Sequence, residues 1–119
     1  MELNIIKKGS IKIAKLSSSK TMLTSVQDAI DLLGNASYQG ADGVIVEEPN
    51  FNPNFFDLKT GIAWEILQKY TNYRMKFAIV GDFKKYQSKA LNAFIVECNR
   101  GNYIFFVSDL DSAIERILE

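Results

Sequence analysis

Four carboxylates stand just after the apolar, β-branched runs of this chain, at Glu47, Glu48, Asp82 and Asp109. Short runs of this kind are typical of strands that are buried on both faces of a parallel sheet. Open α/β sheets bind ligands outside the carboxyl ends of their strands, so these side chains could converge on one site. Because Mg²⁺ prefers oxygen ligands, one hypothesis is a small-molecule-binding or magnesium-dependent enzyme.

Aspartate at such positions also has a simple structural role. The side-chain oxygens of aspartate and serine accept hydrogen bonds from free backbone N–H groups at turns and helix starts. Asp82 and Asp109 are therefore interpreted first as caps, and a capping box formed by Ser108 and Asp111 is expected at the last helix. The metal or ligand site remains the alternative for the same carboxylates.

A second group of candidate residues crowds the predicted start of the second helix, at Asp57, Lys59, Thr60, Gly61 and Trp64. Asp57 complements the positive end of the helix dipole, whereas Lys59 opposes it. This mismatch favours a partner anion or carboxylate at Lys59, and the alternative is a solvated surface lysine. Trp64 lies to one side of the apolar stripe of that helix, and tryptophan is enriched at binding hot spots. The alternative is that the loop of residues 51–56 folds over Trp64.

The elements that must position these residues follow from the apolar periodicity. Two runs, Leu3–Lys7 and Ile11–Leu16, flank a turn at Gly9 and predict an antiparallel hairpin. Later strands are predicted at residues 44–46, 75–80 and 103–107, and apolar stripes at helical spacing over residues 26–36, 58–70, 90–98 and 113–118 predict four helices. The order ββαβαβαβα predicts a single α/β domain over residues 1–119, with a mostly parallel central sheet and helices packed against it.

Histidine is absent, and Cys98 is the single cysteine. The sequence thus lacks serine–histidine and cysteine–histidine pairs, histidine-bound zinc and the commonest general base. One cysteine permits no intramolecular disulfide and is typical of a reducing compartment, so a cytoplasmic protein is expected. Cys98 falls on the apolar stripe of its helix and is interpreted as a small buried hydrophobe.

Fourteen basic and fourteen acidic side chains cancel, so the overall charge does not attract nucleic acid. A local basic cluster of Lys84, Lys85, Tyr86 and Lys89 is interpreted as a solvated loop, with nucleic-acid binding as the weaker alternative. No apolar run approaches the roughly 18 residues of a membrane span, and the first residues lack a signal-peptide pattern. We therefore expect no membrane association and no cofactor.

The predicted order, with Lys59-Thr60-Gly61 at a helix start after the third strand, resembles the bacterial anti-sigma-factor antagonists and related STAS domains. That family begins this helix with Asp-Ser-Ser-Gly, and its first serine is the phosphate acceptor of the switchable members. Here Leu58 and Lys59 replace the aspartate and the acceptor, while Thr60 and Gly61 match the last two positions. Lysine cannot accept a phosphate from a serine kinase, so a phospho-switch is disfavoured, although Thr60 could carry one.

Residues 56–63 (FDLKTGIA), 65–69 (EILQK) and 78–83 (AIVGDF) are similar to a small bacterial family catalogued as a domain of unknown function, DUF4180. This resemblance spans nearly the whole chain and implies no activity. Together the resemblances favour a STAS-like fold and a non-enzymatic regulatory or protein-interaction module. A partner protein would bind the start of the second helix, and self-association is a further expectation.

Overall fold

The computed structural model describes residues 2–18 and 20–119, so that Met1 and Ser19 lie outside the described residues. The described residues form five strands: β1 (Leu3–Lys8), β2 (Ile11–Leu16), β3 (Gly43–Glu47), β4 (Lys76–Val80) and β5 (Ile104–Val107). They also form four α-helices: α1 (Val26–Tyr38), α2 (Ile62–Asn72), α3 (Lys89–Arg100) and α4 (Leu110–Leu118). Among these helices, none is long and apolar enough to cross a membrane.

The five strands form one sheet in the sequential order β1-β2-β3-β4-β5. The β1–β2 hairpin is antiparallel, as predicted, and Gly9 makes its turn with a positive φ of 62°. The pairings β2–β3, β3–β4 and β4–β5 are all parallel. The sheet is therefore mixed, with its antiparallel pairing confined to the hairpin edge.

The helices are divided unequally between the two faces of the sheet. Helices α1, α2 and α3 cover the face that carries Val44, Phe77 and Phe106, and form the larger apolar core. Helix α4 alone packs on the opposite face, where Ala113 and Ile117 meet the alternate strand residues. The connections that follow β4 and β5 therefore leave the sheet toward opposite faces.

Two predicted helix starts are displaced along the chain. Helix α2 begins at Ile62 and not at Leu58, because Leu58–Thr60 forms a separate 3₁₀ turn that ends at Gly61. Helix α4 is capped by Asp109 and not by Ser108, since the Asp109 carboxylate accepts the backbone N–H of Ser112 at 2.7 Å. The shift at α4 arises because Ser108 and Asp109 are both chemically able to cap, whereas the shift at α2 arises from the left-handed conformation of Gly61, which interrupts the helix.

Candidate functional site

The connection from β3 to α2 packs on the core through its phenylalanines. It contains three 3₁₀ turns, at Glu48–Asn50, Pro53–Phe56 and Leu58–Thr60. Phe51, Phe55 and Phe56 are all buried, and the rings of Phe51 and Phe55 stack with centroids 4.1 Å apart. These rings fill the core beneath the loop and leave Trp64 uncovered, so the alternative of a loop folded over Trp64 is wrong.

The turn that precedes α2 is held by its own polar side chains. The Asp57 carboxylate accepts the backbone N–H of Lys59 at 3.2 Å, and the Thr60 hydroxyl donates to the Asp57 carbonyl at 2.9 Å. The Thr60 oxygen also accepts the backbone N–H of Ile62 at 3.3 Å. Gly61 adopts the left-handed conformation, with φ of 75°, that reverses the chain into α2. Three of the predicted partner-binding residues thus have structural roles of their own.

Lys59 and Trp64 are exposed beside this turn. The ion pairs of the described residues do not include Lys59. The Trp64 side chain is 58% exposed, and it meets the ring of Phe94 in α3 edge to face, with centroids 4.5 Å apart. A groove of about 490 Å³ runs beside Trp64 between α2 and α3, with Leu67 and Cys98 among its walls. We call Asp57, Lys59, Thr60, Gly61 and Trp64 the helix-start surface.

The buried carboxylate of Glu48 lies in a polar cluster at the end of β3. Its residue is only 7% exposed, and its Oε2 accepts a hydrogen bond from the hydroxyl of Tyr86. The Lys85 ammonium lies 2.5 Å from the same oxygen. Burial raises the pKa of Tyr86, and the hydrogen bond to Glu48 and its negative charge raise it further. Glu48 is therefore committed to two protein partners.

Gly81 makes room for this cluster at the end of β4. A β-carbon at Gly81 would lie 2.7 Å from the Glu48 β-carbon, which is closer than two non-bonded carbon atoms approach each other in proteins. The Tyr86 ring stacks on Phe56 with centroids 4.9 Å apart, so the cluster joins the loop after β3 to the loop after β4. The sequence signal for this arrangement is slight, because Tyr86 and Lys85 resemble part of a solvated basic loop.

Asn50 completes the polar structure at this edge and is fully buried. Its Oδ1 accepts the backbone N–H of Glu47 at 2.8 Å. Its Nδ2 donates to the carbonyls of Ser18 and Lys20 at 2.8 and 2.9 Å, respectively. The side chain thus ties the end of β2 to the end of β3. No sequence signal distinguishes Asn50 from Asn52 and Asn54 in the same loop, so its role was missed. We call Glu48, Asn50, Lys85 and Tyr86 the strand-end cluster.

The remaining strand-end carboxylates are separated by their capping roles. Asp82 accepts the backbone N–H of Lys84 at 3.1 Å, which confirms the capping interpretation, as does the Asp109 cap of α4. The hydrogen bonds from Ser112, first from its backbone N–H, lower the pKa of Asp109. Glu47 is half-buried at the end of β3. Within residues 2–18 and 20–119, no three acidic or cysteine side chains are grouped so that they could hold a metal ion.

Two other residues have environments that restrict their chemistry. Burial, together with the charge of Glu97, raises the pKa of the half-buried Cys98 thiol to about 11, so it stays protonated near neutral pH. The ion pair with Glu48 occupies Lys85, which removes one cation from the basic cluster around Tyr86. Cys98 was predicted to be a small buried hydrophobe, but it is only half-buried and lines the groove beside Trp64.

The fold and these two regions define a small α/β domain with a mixed, sequentially ordered sheet. The family model described as "Domain of unknown function (DUF4180)" matches residues 8–117, and the chain therefore belongs to that family. This match confirms the resemblance of the sequence to that domain of unknown function. A search of curated proteins finds no match to the chain.

Proposed function

We propose that this protein is a non-enzymatic regulatory or protein-interaction module with a STAS-like fold. Its partner is a protein that docks on the helix-start surface. The observation that carries this proposal is the exposure of Trp64, at 58%, while the neighbouring phenylalanines of the loop pack into the core. An indole left on the surface beside an apolar groove is the kind of residue that dominates protein–protein binding energy.

The charge of Lys59 adds a polar element to this surface. Lys59 lies near the positive end of α2, and the ion pairs of the described residues leave its ammonium available. A partner would therefore place a carboxylate against Lys59 and an apolar side chain in the groove beside Trp64. Shape and charge complementarity, without chemistry, would be the mechanism of recognition.

The likeness to anti-sigma-factor antagonists rests on the order of elements and on the position of this surface. The chain has the order ββαβαβαβα, and the helix-start surface follows β3. Lys59 stands where those proteins have their acceptor serine. The Thr60 hydroxyl is engaged with the Asp57 carbonyl, so phosphorylation at Thr60 would first have to break that bond. We therefore propose constitutive docking in a bacterial cytoplasm, without a phosphate switch.

The alternative of a magnesium-dependent enzyme gains no observation in its favour. Asp82 and Asp109 are caps, while Glu48 is held by Tyr86 and Lys85. The alternative of nucleic-acid binding is weakened in the same way, because Lys85 is paired with a buried carboxylate. Protein docking through the helix-start surface is therefore the function that the geometry supports best.

The first experiment is an affinity capture from lysate of the native host, with the wild type compared with Trp64→Ala and Lys59→Glu. Each variant has a matched control on the same domain. Tyr73→Ala removes another strongly exposed aromatic ring, and Lys69→Glu reverses another exposed charge of α2. The expected result is one protein that is retained by both controls and lost by both test variants.

Two other results of the capture would count against the proposal. A captured protein that is indifferent to Trp64→Ala and Lys59→Glu would place docking elsewhere. If no protein is captured specifically, the proposal that a partner protein docks on the helix-start surface is contradicted. Sedimentation of the purified domain tests whether the helix-start surface binds a second copy of the chain instead. In that case the wild type would be a dimer, and Trp64→Ala would shift it toward the monomer.

A further inference from the structure

An open crevice of about 770 Å³ lies between the carboxyl ends of β4 and β5. It forms because α3 follows β4 onto one face of the sheet, while α4 follows β5 onto the other. Neither connection covers the gap between the two strand ends. The same divergence of connections creates the ligand crevices at the topological switch points of α/β proteins. The volume is also within the range of small-molecule sites, which is about 300–1,000 Å³.

One wall of the crevice is apolar. Ile95 and Val96 of α3 line it together with the largely buried Phe106 of β5. Val96 is 48% exposed although it is aliphatic, so part of this wall meets water in the free protein. A ligand with an apolar side chain would remove that surface from water, which favours binding.

Opposite charges stand at the mouth of the crevice. Asp82 and Lys84 both line it, and one carboxylate oxygen of Asp82 accepts the Lys84 backbone N–H at 3.1 Å. The two side chains do not pair with each other, and the ion pairs of residues 2–18 and 20–119 include neither. The adjacent Lys85 differs, because it is paired with Glu48. The mouth thus offers a separate anion and a separate cation.

We propose that this crevice binds a zwitterionic small molecule with an apolar side chain, of the class of hydrophobic α-amino acids or their dipeptides. Asp82 receives the ligand ammonium, and Lys84 with the Asn92 amide receives its carboxylate. The apolar side chain lies against Ile95, Val96 and Phe106. Charge-assisted hydrogen bonds at both ends supply the selectivity for a zwitterion. This site uses none of the residues of the helix-start surface, and therefore goes beyond the proposed function.

A row of aromatic contacts connects the crevice to the single tryptophan. The Phe106 ring of the crevice lies 6.2 Å from the Phe94 ring, and Phe94 lies 4.5 Å from Trp64, between centroids. Occupation of the crevice that moves Phe106 would change the environment of Trp64. Since the chain has one tryptophan, its fluorescence reports on this site without a label.

The test is a titration of the full chain with phenylalanine, leucine and dileucine, followed by Trp64 fluorescence and calorimetry. N-acetylphenylalanine lacks the ammonium, and phenylalanine amide lacks the carboxylate. Each derivative should bind at least about tenfold more weakly than phenylalanine, because it lacks one of the two charge-assisted hydrogen bonds. If only dileucine binds, the ligand is a dipeptide. If phenylalanine or leucine binds, the ligand is a free amino acid.

Two variants assign the binding to the crevice. Asp82→Asn keeps an oxygen that can cap the Lys84 turn, while Lys84→Gln keeps the length of the side chain. Each should weaken binding about tenfold, and Lys69→Gln on the exposed face of α2 should not. Melting temperatures equal to that of the wild type would show that the variants are folded.

The proposal is overturned if none of these zwitterions binds at millimolar concentration. It is equally overturned if Asp82→Asn and Lys84→Gln bind as the wild type does, or if both derivatives bind as well as phenylalanine. None of these results depends on a partner protein. Failure of this proposal would therefore leave the capture experiment at Trp64 unaffected.

Discussion

The strand-end cluster and the helix-start surface use similar residue types in opposite ways. In the strand-end cluster, Glu48 and Asn50 are buried, and protein groups satisfy their polar atoms. At the helix-start surface, Lys59 and Trp64 are exposed to solvent. Charged and polar residues near strand ends suggest chemistry from the sequence, yet here most of them hold the loops. Lys59 lies further along the connection from β3 to α2, and Trp64 lies in the first turn of α2.

Burial separates Glu48 and Asn50 of the strand-end cluster from the exposed Lys59 and Trp64 of the helix-start surface. A buried polar group is costly unless it is hydrogen-bonded, so its partners are fixed by folding. An exposed cation or indole carries no such constraint, and its removal should leave the fold intact. Substitutions in the two regions should therefore differ strongly in their effect on the free energy of unfolding.

Asn50→Ala is expected to have the largest effect on stability. It leaves the buried N–H of Glu47 and the carbonyls of Ser18 and Lys20 without their partner. We expect a loss of about 3 kcal/mol or more in the free energy of unfolding, measured by urea denaturation. Asn52→Ala removes only the cap of the next turn and should cost about 1 kcal/mol. Equal losses for the two variants would contradict the assigned role of Asn50.

Tyr86→Phe tests the second link of the strand-end cluster. It removes the hydroxyl that donates to Glu48 but keeps the ring that stacks on Phe56. The variant should lose about 2 kcal/mol of stability, because hydrogen bonds to charged groups are worth about 1.5–3 kcal/mol. Tyr73→Phe changes an exposed tyrosine in the same way and is expected to be neutral. A neutral Tyr86→Phe would mean that Lys85 alone satisfies the carboxylate.

Gly61→Ala tests whether Gly61 serves the backbone or a partner. Gly61 has φ of 75°, and the space around its α-carbon is open, so the conformation alone opposes a side chain. The cost should be about 1–2 kcal/mol, measured by urea denaturation. Gly61→Asn adds a larger side chain that tolerates the left-handed conformation, and it should cost less. If Asn is the more harmful of the two, side-chain space and not φ is the constraint.

Asp109→Asn tests a cap through its pH dependence. Hydrogen bonds from Ser112 hold the folded pKa of Asp109 below its ordinary value of 3.8. A lowered folded pKa gives stability that is present above 3.8 and is lost as the pH falls through the folded pKa. Asp109→Asn keeps an oxygen acceptor without a titrating group, so its melting temperature should fall less steeply below that pH. If the melting temperature of the variant falls as steeply below that pH as that of the wild type, other carboxylates cause the loss of stability in acid.

Apolar periodicity predicted the sheet and helices well, because strand and helix periods are local properties of the chain. The capping box predicted from Ser108 was one residue before the observed cap of α4, Asp109, because either residue has a suitable oxygen. The partners of Glu48 were not predictable, because Tyr86 lies 38 positions away and meets it only when β3 and β4 pair. The sequence did not decide whether Trp64 is exposed. The helical period places Trp64 beside the apolar stripe, but it does not show where the loop of residues 51–56 packs.

Trp64→Ala is expected to have the smallest effect on stability and the sharpest effect on function. The indole is more than half exposed and keeps one edge-to-face contact, with Phe94, which is worth about 1 kcal/mol. Phe94→Ala on the buried side of the same pair should cost about 3 kcal/mol by urea denaturation. If Trp64→Ala were as destabilising as Phe94→Ala, the indole would be a core residue, and the helix-start surface would lose its main anchor. A small loss of stability, together with loss of the captured protein, leaves docking as the reason for a tryptophan at that position.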